Sequence, residues 1–162
     1  EDKNSGMFWF TDQDSQLITR KMELSDNVIP ASNSIMARNL YTLFQLTDKR
    51  EFEAKARQML KNMYDGMHTY GSGYSNWAQL LIELVDVKKE IVVVGPNAKD
   101  VLKQLNQMYW PTTLVIGSEK KSTRPLFEGR FQEGKTLIYY CENNACQMPV
   151  ESIQELQKLV KR

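Results

Sequence analysis

The chain has 162 residues, 41% of them hydrophobic, and 21 basic against 20 acidic side chains leave a net charge of +1. That length sustains one ordinary domain or two small subdomains, and the balanced charge, without a long basic run, lacks the footprint that nucleic-acid phosphates require. No apolar stretch approaches the roughly 20 residues that span a bilayer, and no signal pattern opens the chain, so the expectation is a cytoplasmic protein without nucleic-acid or membrane partners. Glu1 stands where an initiator methionine would, which suggests a piece cut from something longer.

In chain order, Met7–Phe10 and Gln16–Arg20 are extended-looking runs around the turn-prone TDQDS, predicting a hairpin or irregular strand pair. From Ala31 to Leu46 the apolar residues Ile35, Met36, Leu40, Leu43 and Phe44 recur at helical spacing. Asp48 and Glu51 have the spacing of a capping box for a second helix, which carries Phe52, Ala56, Met59, Leu60 and Met63 to about Met67. The short connection makes the two an antiparallel hairpin. A third helix follows the GSG break, with Trp77, Leu80, Leu81, Leu84 and Val85 on its buried face.

At Glu90 the grammar changes. IVVVG is a β-branched run suited to a buried parallel strand, and Asn97 is placed to cap a helix carrying Val101, Leu102, Leu105 and Met108. TTLVIG and TLIYYC supply two further strands, and Ser152 with Glu155 caps a last helix. The fold class expected is α plus α/β: a β preface and three helices over residues 1–88, then a small βαββα tail over 89–162.

The chain's two cysteines, Cys141 and Cys146, have four residues between them instead of the two of a thioredoxin-like pair. A disulfide between them would close a small ring and contribute about 2 kcal/mol at most in the loop-entropy model, and a reducing compartment disfavours it. Two structural thiols at a strand end are expected, with a redox-responsive pair or a shared metal site as the alternatives. His68, the lone histidine, is far off in sequence, so no structural zinc set forms, and neither metal nor cofactor is expected. VVVGPNAKD has one glycine where a dinucleotide fingerprint needs three, leaving a plain strand-to-helix turn.

Three segments carry a resemblance. SDNVIPASNSIMARNLYTLFQLT (25–47), KEIVVVG (89–95) and GKTLIYYCENNACQMPV (134–150) together resemble the C-terminal part of the long thioredoxin-domain-containing family related to the spermatogenesis-associated thioredoxin-like protein. The resemblance runs in order through nearly the whole chain. It implies an N-terminal thioredoxin-like domain elsewhere, then an (α/α)6 barrel of the glycosidase and epimerase type, of which this chain would hold the last helices and a tail. Its partner would be the remainder of its own full-length chain, with self-association when that remainder is missing.

The family-like D-x-x-x-P-x-x-N-S pattern stands as Asp26, Pro30, Asn33 and Ser34, with Asn27 and Ala31 where glycine and serine would be expected. In such barrels the pocket is lined by loops and helix N-termini, where free N–H groups favour polar ligand atoms. The resemblance therefore nominates Asp26, Asn27, Ser32, Asn33 and Ser34, with Tyr74 as a stacking face, for a sugar-like ligand. The plainer alternative is that Asp26, Ser32 and Asn33 cap and position a helix, and that Trp77 is core. Glycosidases need two carboxylates roughly 5 to 10 Å apart. Glu23 with Asp26, or Asp12 with Asp14, are near in sequence only, so the catalytic residues are unknown and any activity would be carbohydrate-directed in the full-length protein. A helical interaction module and a small thiol-redox protein are the other readings.

Overall fold

The computed structural model describes residues 1–12 and 18–160. It divides into two compact units, Glu1–Val85 and Asp86–Arg162, and mixes helices with one small sheet.

In the first unit, α1 (Ser32–Thr47) and α2 (Arg50–Asn62) are joined by two residues. The expected Asp48–Glu51 capping box is not made. Asp48 instead ends α1 in the left-handed conformation (φ 55°, ψ 21°), its N–H reaching the Phe44 carbonyl, and Lys49 takes the N-cap position of α2 without a side-chain bond. A short polar residue tolerates that backbone better than most, so Asp48 serves the helix before it. The second helix also stops earlier than its apolar stripe predicts: Met63 closes the last turn by donating to the Leu60 carbonyl, and α3 (Tyr64–Thr69) starts afresh. A 3-10 turn, Gly71–Tyr74, leads into α4 (Ser75–Val85).

Met7, Ala37, Tyr41, Phe44, Ala56, Met59, Met63, Trp77 and Leu80 form this unit's core. Trp77 is fully buried and spends its indole N–H on the Leu24 carbonyl at 2.7 Å, so a buried aromatic keeps its polar handle satisfied. No strand forms among the described residues before α1. The expected strand pair reduces there to one rung, Phe10 N–H to the Lys21 carbonyl at 2.9 Å, while most of the TDQDS turn lies outside the described residues.

The second unit runs β1 (Lys89–Val94), α5 (Ala98–Leu105), β2 (Thr113–Ser118), β3 (Leu137–Glu142), β4 (Ala145–Cys146) and α6 (Ile153–Val160). Its strands lie in the order β2-β1-β3-β4, with β2 parallel and β3 antiparallel to the central β1. Every residue from Glu90 to Val94 is buried, as a strand covered on both faces demands. Ile91, Val93, Ile138 and Tyr140 pack with Leu105 of α5 and Leu156 of α6. Ser152 and Glu155 do form the predicted capping box on α6, with reciprocal bonds of 3.3 and 3.2 Å. Asn97 sits at the N-cap of α5 but makes no side-chain cap bond. Gly95 (φ +134°) is required where it stands, because a Cβ there would run into the Lys135 carbonyl. β4 is the element absent from the sequence expectation.

Candidate functional site

The nominated polar residues converge at the starts of α1 and α4. Asp26, 7% exposed, precedes Pro30 and turns its carboxylate back over the first turn of α1. Its Oδ1 accepts the Ala31 N–H at 2.9 Å and lies 3.1 Å from the Ser34 hydroxyl; Oδ2 accepts the Asn76 N–H of α4 at 2.9 Å. Its own N–H donates to the Gly73 carbonyl at 2.7 Å. One carboxylate thus satisfies otherwise unpaired N–H groups at two helix starts, as an N-cap does. Burial pushes its carboxyl up, but the bonds from Ala31, Asn76 and Ser34 outweigh that and hold it below the usual range.

Asn33 is fully buried inside the first turn of α1. Its Oδ1 accepts the Phe8 N–H at 2.7 Å, and its Nδ2 donates to the carbonyls of Phe8 at 2.9 Å and Glu23 at 3.0 Å. Both amide donors are used, so the side chain fastens the segment carrying Met7 onto α1, and the cap position belongs to Ala31. Ser34 also reaches the Ala31 carbonyl at 2.8 Å. Ser32 is half-buried, and Asn27 is exposed, its side-chain oxygen accepting the Ile29 N–H at 3.3 Å in a local turn. Tyr74 is half-buried, with its ring against Gly66, where no Cβ would fit without moving it. Asp26, Asn33 and Ser34 therefore share a neighbourhood, but their hydrogen-bonding capacity points into the protein. His68 is exposed beside Tyr64, ring centroids 4.9 Å apart, and Asp14 lies outside the described residues.

A groove of about 250 Å³ opens elsewhere on the first unit, lined by Leu60, Tyr64, Met67, Leu81, Leu84 and Val85, with Arg57 and Lys61 also on its wall. None of the nominated polar residues line it. In the second unit a hollow of about 240 Å³ lies beyond the carboxyl ends of β1 and β2, between Lys99, Leu102, Gly117 and Glu119, the place where open α/β sheets bind ligands. The turn beside it spends amides internally, Gly95 N–H on Ser118 and Ala98 N–H on Gly95.

Cys141 and Cys146 are joined in a disulfide, which corrects the expectation of two separate thiols. Asn143 (φ 47°) and Asn144 (φ 65°) have the two successive positive φ values of a type I′ hairpin turn, so Glu142 pairs with Ala145 and Cys141 falls opposite Cys146. Among the described residues no group of three His, Cys, Asp or Glu side chains is arranged to hold a metal, and no helix is long and apolar enough to cross a membrane. Sequence reasoning missed Glu90, a carboxylate 1% exposed in the middle of the sheet. Its signal was a lone acid opening the apolar run KEIVVVG.

Compared with known proteins, the chain is 24% identical to an uncharacterized protein of Caenorhabditis elegans over 98% of its own length and 23% of that protein. It is 27% identical to spermatogenesis-associated protein 20 of Rattus norvegicus, and 26% to that of Mus musculus, over 90% of this chain and 20% of each of those proteins. The chain thus spans about a fifth of the length of the curated relatives it matches. These similarities support the family nominated by the three segments above. No family model matches the chain, and no solved structure matches it.

Proposed function

We propose that this chain works as the C-terminal portion of a larger multidomain protein of the thioredoxin-like, (α/α)6-barrel kind, in which its helical unit helps to close a barrel around a carbohydrate-type pocket and is not catalytic alone. The observation that carries the reading is the pattern of similarity: relatives match along most of this chain while it covers only about a fifth of each of them. The groove between α2, α3 and α4 agrees with it. Leu81, Ile82 and Val85 are 37%, 53% and 72% exposed, an apolar side of the kind that neighbouring barrel helices would cover. Within such a barrel Asp26 and Asn33 would position the α1 start, and the exposed Asn27–Pro30 turn would stand nearest the ligand.

The test is the mass of the native protein, detected in source cells with an antibody raised against this chain. A species several times heavier than 18.8 kDa is expected. Titration of that species with neutral monosaccharides should then give binding that Asn27→Ala weakens. A native species of 18.8 kDa would refute the reading and favour the alternative, a helical interaction module whose groove takes a partner's apolar segment.

A further inference from the structure

Four groups that the proposed pocket does not use meet around the disulfide. Glu90 of β1 lies directly across from Cys141 of β3 in the antiparallel register, so both side chains share a face, with β carbons about 5 Å apart. Cys141 is fully buried, whereas Cys146 is exposed. The Arg130 guanidinium donates through Nη2 to the Cys146 sulfur at 3.2 Å. Arg130 is held there twice by Tyr139, whose hydroxyl donates to its carbonyl at 2.9 Å and whose ring lies 5.3 Å beneath its guanidinium. Lys88 Nζ stands 2.8 Å from Glu90 Oε1 and donates to Asn144 of the hairpin turn at 3.0 Å. The Lys88 ammonium thus pairs with Glu90 Oε1, whereas Arg130 Nη1 has no hydrogen-bond partner. Buried polar atoms in that condition are costly and uncommon in folded proteins. One of them beside a disulfide, with a buried ion pair across the strand from it, asks for a purpose.

We propose that Cys141 and Cys146 form a thiol–disulfide exchange site, in which Cys146 is the sulfur that attacks and is attacked, Arg130 stabilises its thiolate, and Glu90 receives the proton of Cys141. In the oxidising direction the Cys146 thiolate attacks one sulfur of a small-molecule or protein disulfide, forming a mixed disulfide and expelling the other sulfur as a thiolate that takes a proton from solvent. Glu90 then accepts the Cys141 proton as that sulfur attacks Cys146, closing the internal disulfide and expelling the second substrate sulfur as a thiolate that takes a proton from solvent, to which Glu90 later returns its own. One substrate disulfide is reduced to two thiols while two protein thiols become one disulfide, so electrons and atoms balance. A guanidinium beside the outer sulfur favours the reactive thiolate, and a buried carboxylate directly across the strand pair from the inner one, on the same face, is the base such a step needs. The other charged group nearby, Glu142, projects from the opposite face of β3 and accepts the Tyr140 hydroxyl proton at 2.6 Å, leaving Glu90 as the carboxylate on the cysteine side.

The experiment mixes the reduced 162-residue chain with oxidised glutathione, quenches in acid at intervals, and counts free thiols and glutathione adducts by mass. The unmodified chain should pass through a transient adduct on Cys146 to the internal disulfide. Glu90→Gln should leave adduct formation unchanged but slow ring closure about tenfold or more, so that the adduct accumulates, and Glu90→Asp should restore part of the rate. In a Cys141→Ser background, Arg130→Gln should raise the pH midpoint of Cys146 alkylation by iodoacetamide by about half a unit or more. Circular dichroism checks that each variant is folded; if Glu90→Gln is not, the Arg130→Gln arm decides alone. Reduced protein inert to oxidised glutathione, ring closure at the unmodified rate in folded Glu90→Gln, or an unchanged alkylation midpoint in Arg130→Gln would overturn the proposal.

Discussion

Removing the Asp26 carboxylate should loosen both helices whose starts it holds. Asp26→Ala strands the N–H groups of Ala31 and Asn76 and takes an acceptor from Ser34. A hydrogen bond to a charged acceptor contributes about 1.5–3 kcal/mol, and loss of a helix cap costs about 1 kcal/mol. Because Asn76 is only half-buried, water recovers part of its bond, and the expected loss is about 3 kcal/mol instead of the full sum. At a urea slope of about 1.5 kcal/mol per molar, the midpoint of the ellipticity change at 222 nm should fall by about 2 M. Asp26→Asn tests the charge separately. The folded carboxyl is held below its ordinary value, so its contribution is complete above the unfolded value near 3.9 and is lost as pH falls through the folded one. The advantage of the unmodified chain over Asp26→Asn should therefore be constant near neutrality and shrink below about pH 4. An Asp26→Ala midpoint within about 0.3 M of the unmodified chain, or an Asp26→Asn difference that ignores acid, would refute the two-helix account.

Three other outcomes are expected. The Thr112 hydroxyl at 2.5 Å, the Lys89 ammonium and the Val87 N–H hold the Asp86 carboxyl down at about 2; a carboxyl-carbon NMR titration should show that midpoint, and Thr112→Val should move it up towards the ordinary range. Gly95→Ala forces an L side chain into φ +134° against the Lys135 carbonyl and should destabilise the second unit by about 2 kcal/mol or more, measured by hydrogen exchange of the β1 amides; wild-type protection would count against the close approach. The isolated chain should self-associate through the apolar groove, and Leu81→Glu with Val85→Glu should shift light scattering towards monomer; a monomer at high concentration without substitution would contradict that.

What was legible in the sequence was whatever short-range periodicity carries. Ala56 and Met59 of the second helix are fully buried, as are Trp77 and Leu80 of the third, because a 3.6-residue period leaves one face to bury, although Leu81 and Val85, expected on that same face, are exposed. The IVVV run became the central strand for the parallel reason. What was hidden depended on partners distant in sequence or on competing local chemistry. Asn33 resembles a helix cap until Phe8 and Glu23 claim its amide, and nothing near Asp26 announces Asn76. Asp48 could start α2 or finish α1, and left-handed backbone decided it. The cysteines looked ill-spaced for a redox pair because motif spacing describes a helix start, whereas Asn143 and Asn144 fold the chain into a hairpin that brings them level.

That hairpin also sets an order of assembly. β1 pairs with β2 and β3 only after long loops close, Lys89 meeting Thr113 on one side and Glu142 on the other, whereas β3 and β4 are linked by two residues already suited to their turn. Loop closure costs entropy that local contacts avoid. The short edge of the sheet should thus appear early and the central strand late. The strand that everything else in the unit packs around would be the last to find its neighbours, leaving β3 as the surface against which KEIVVV has to find its register.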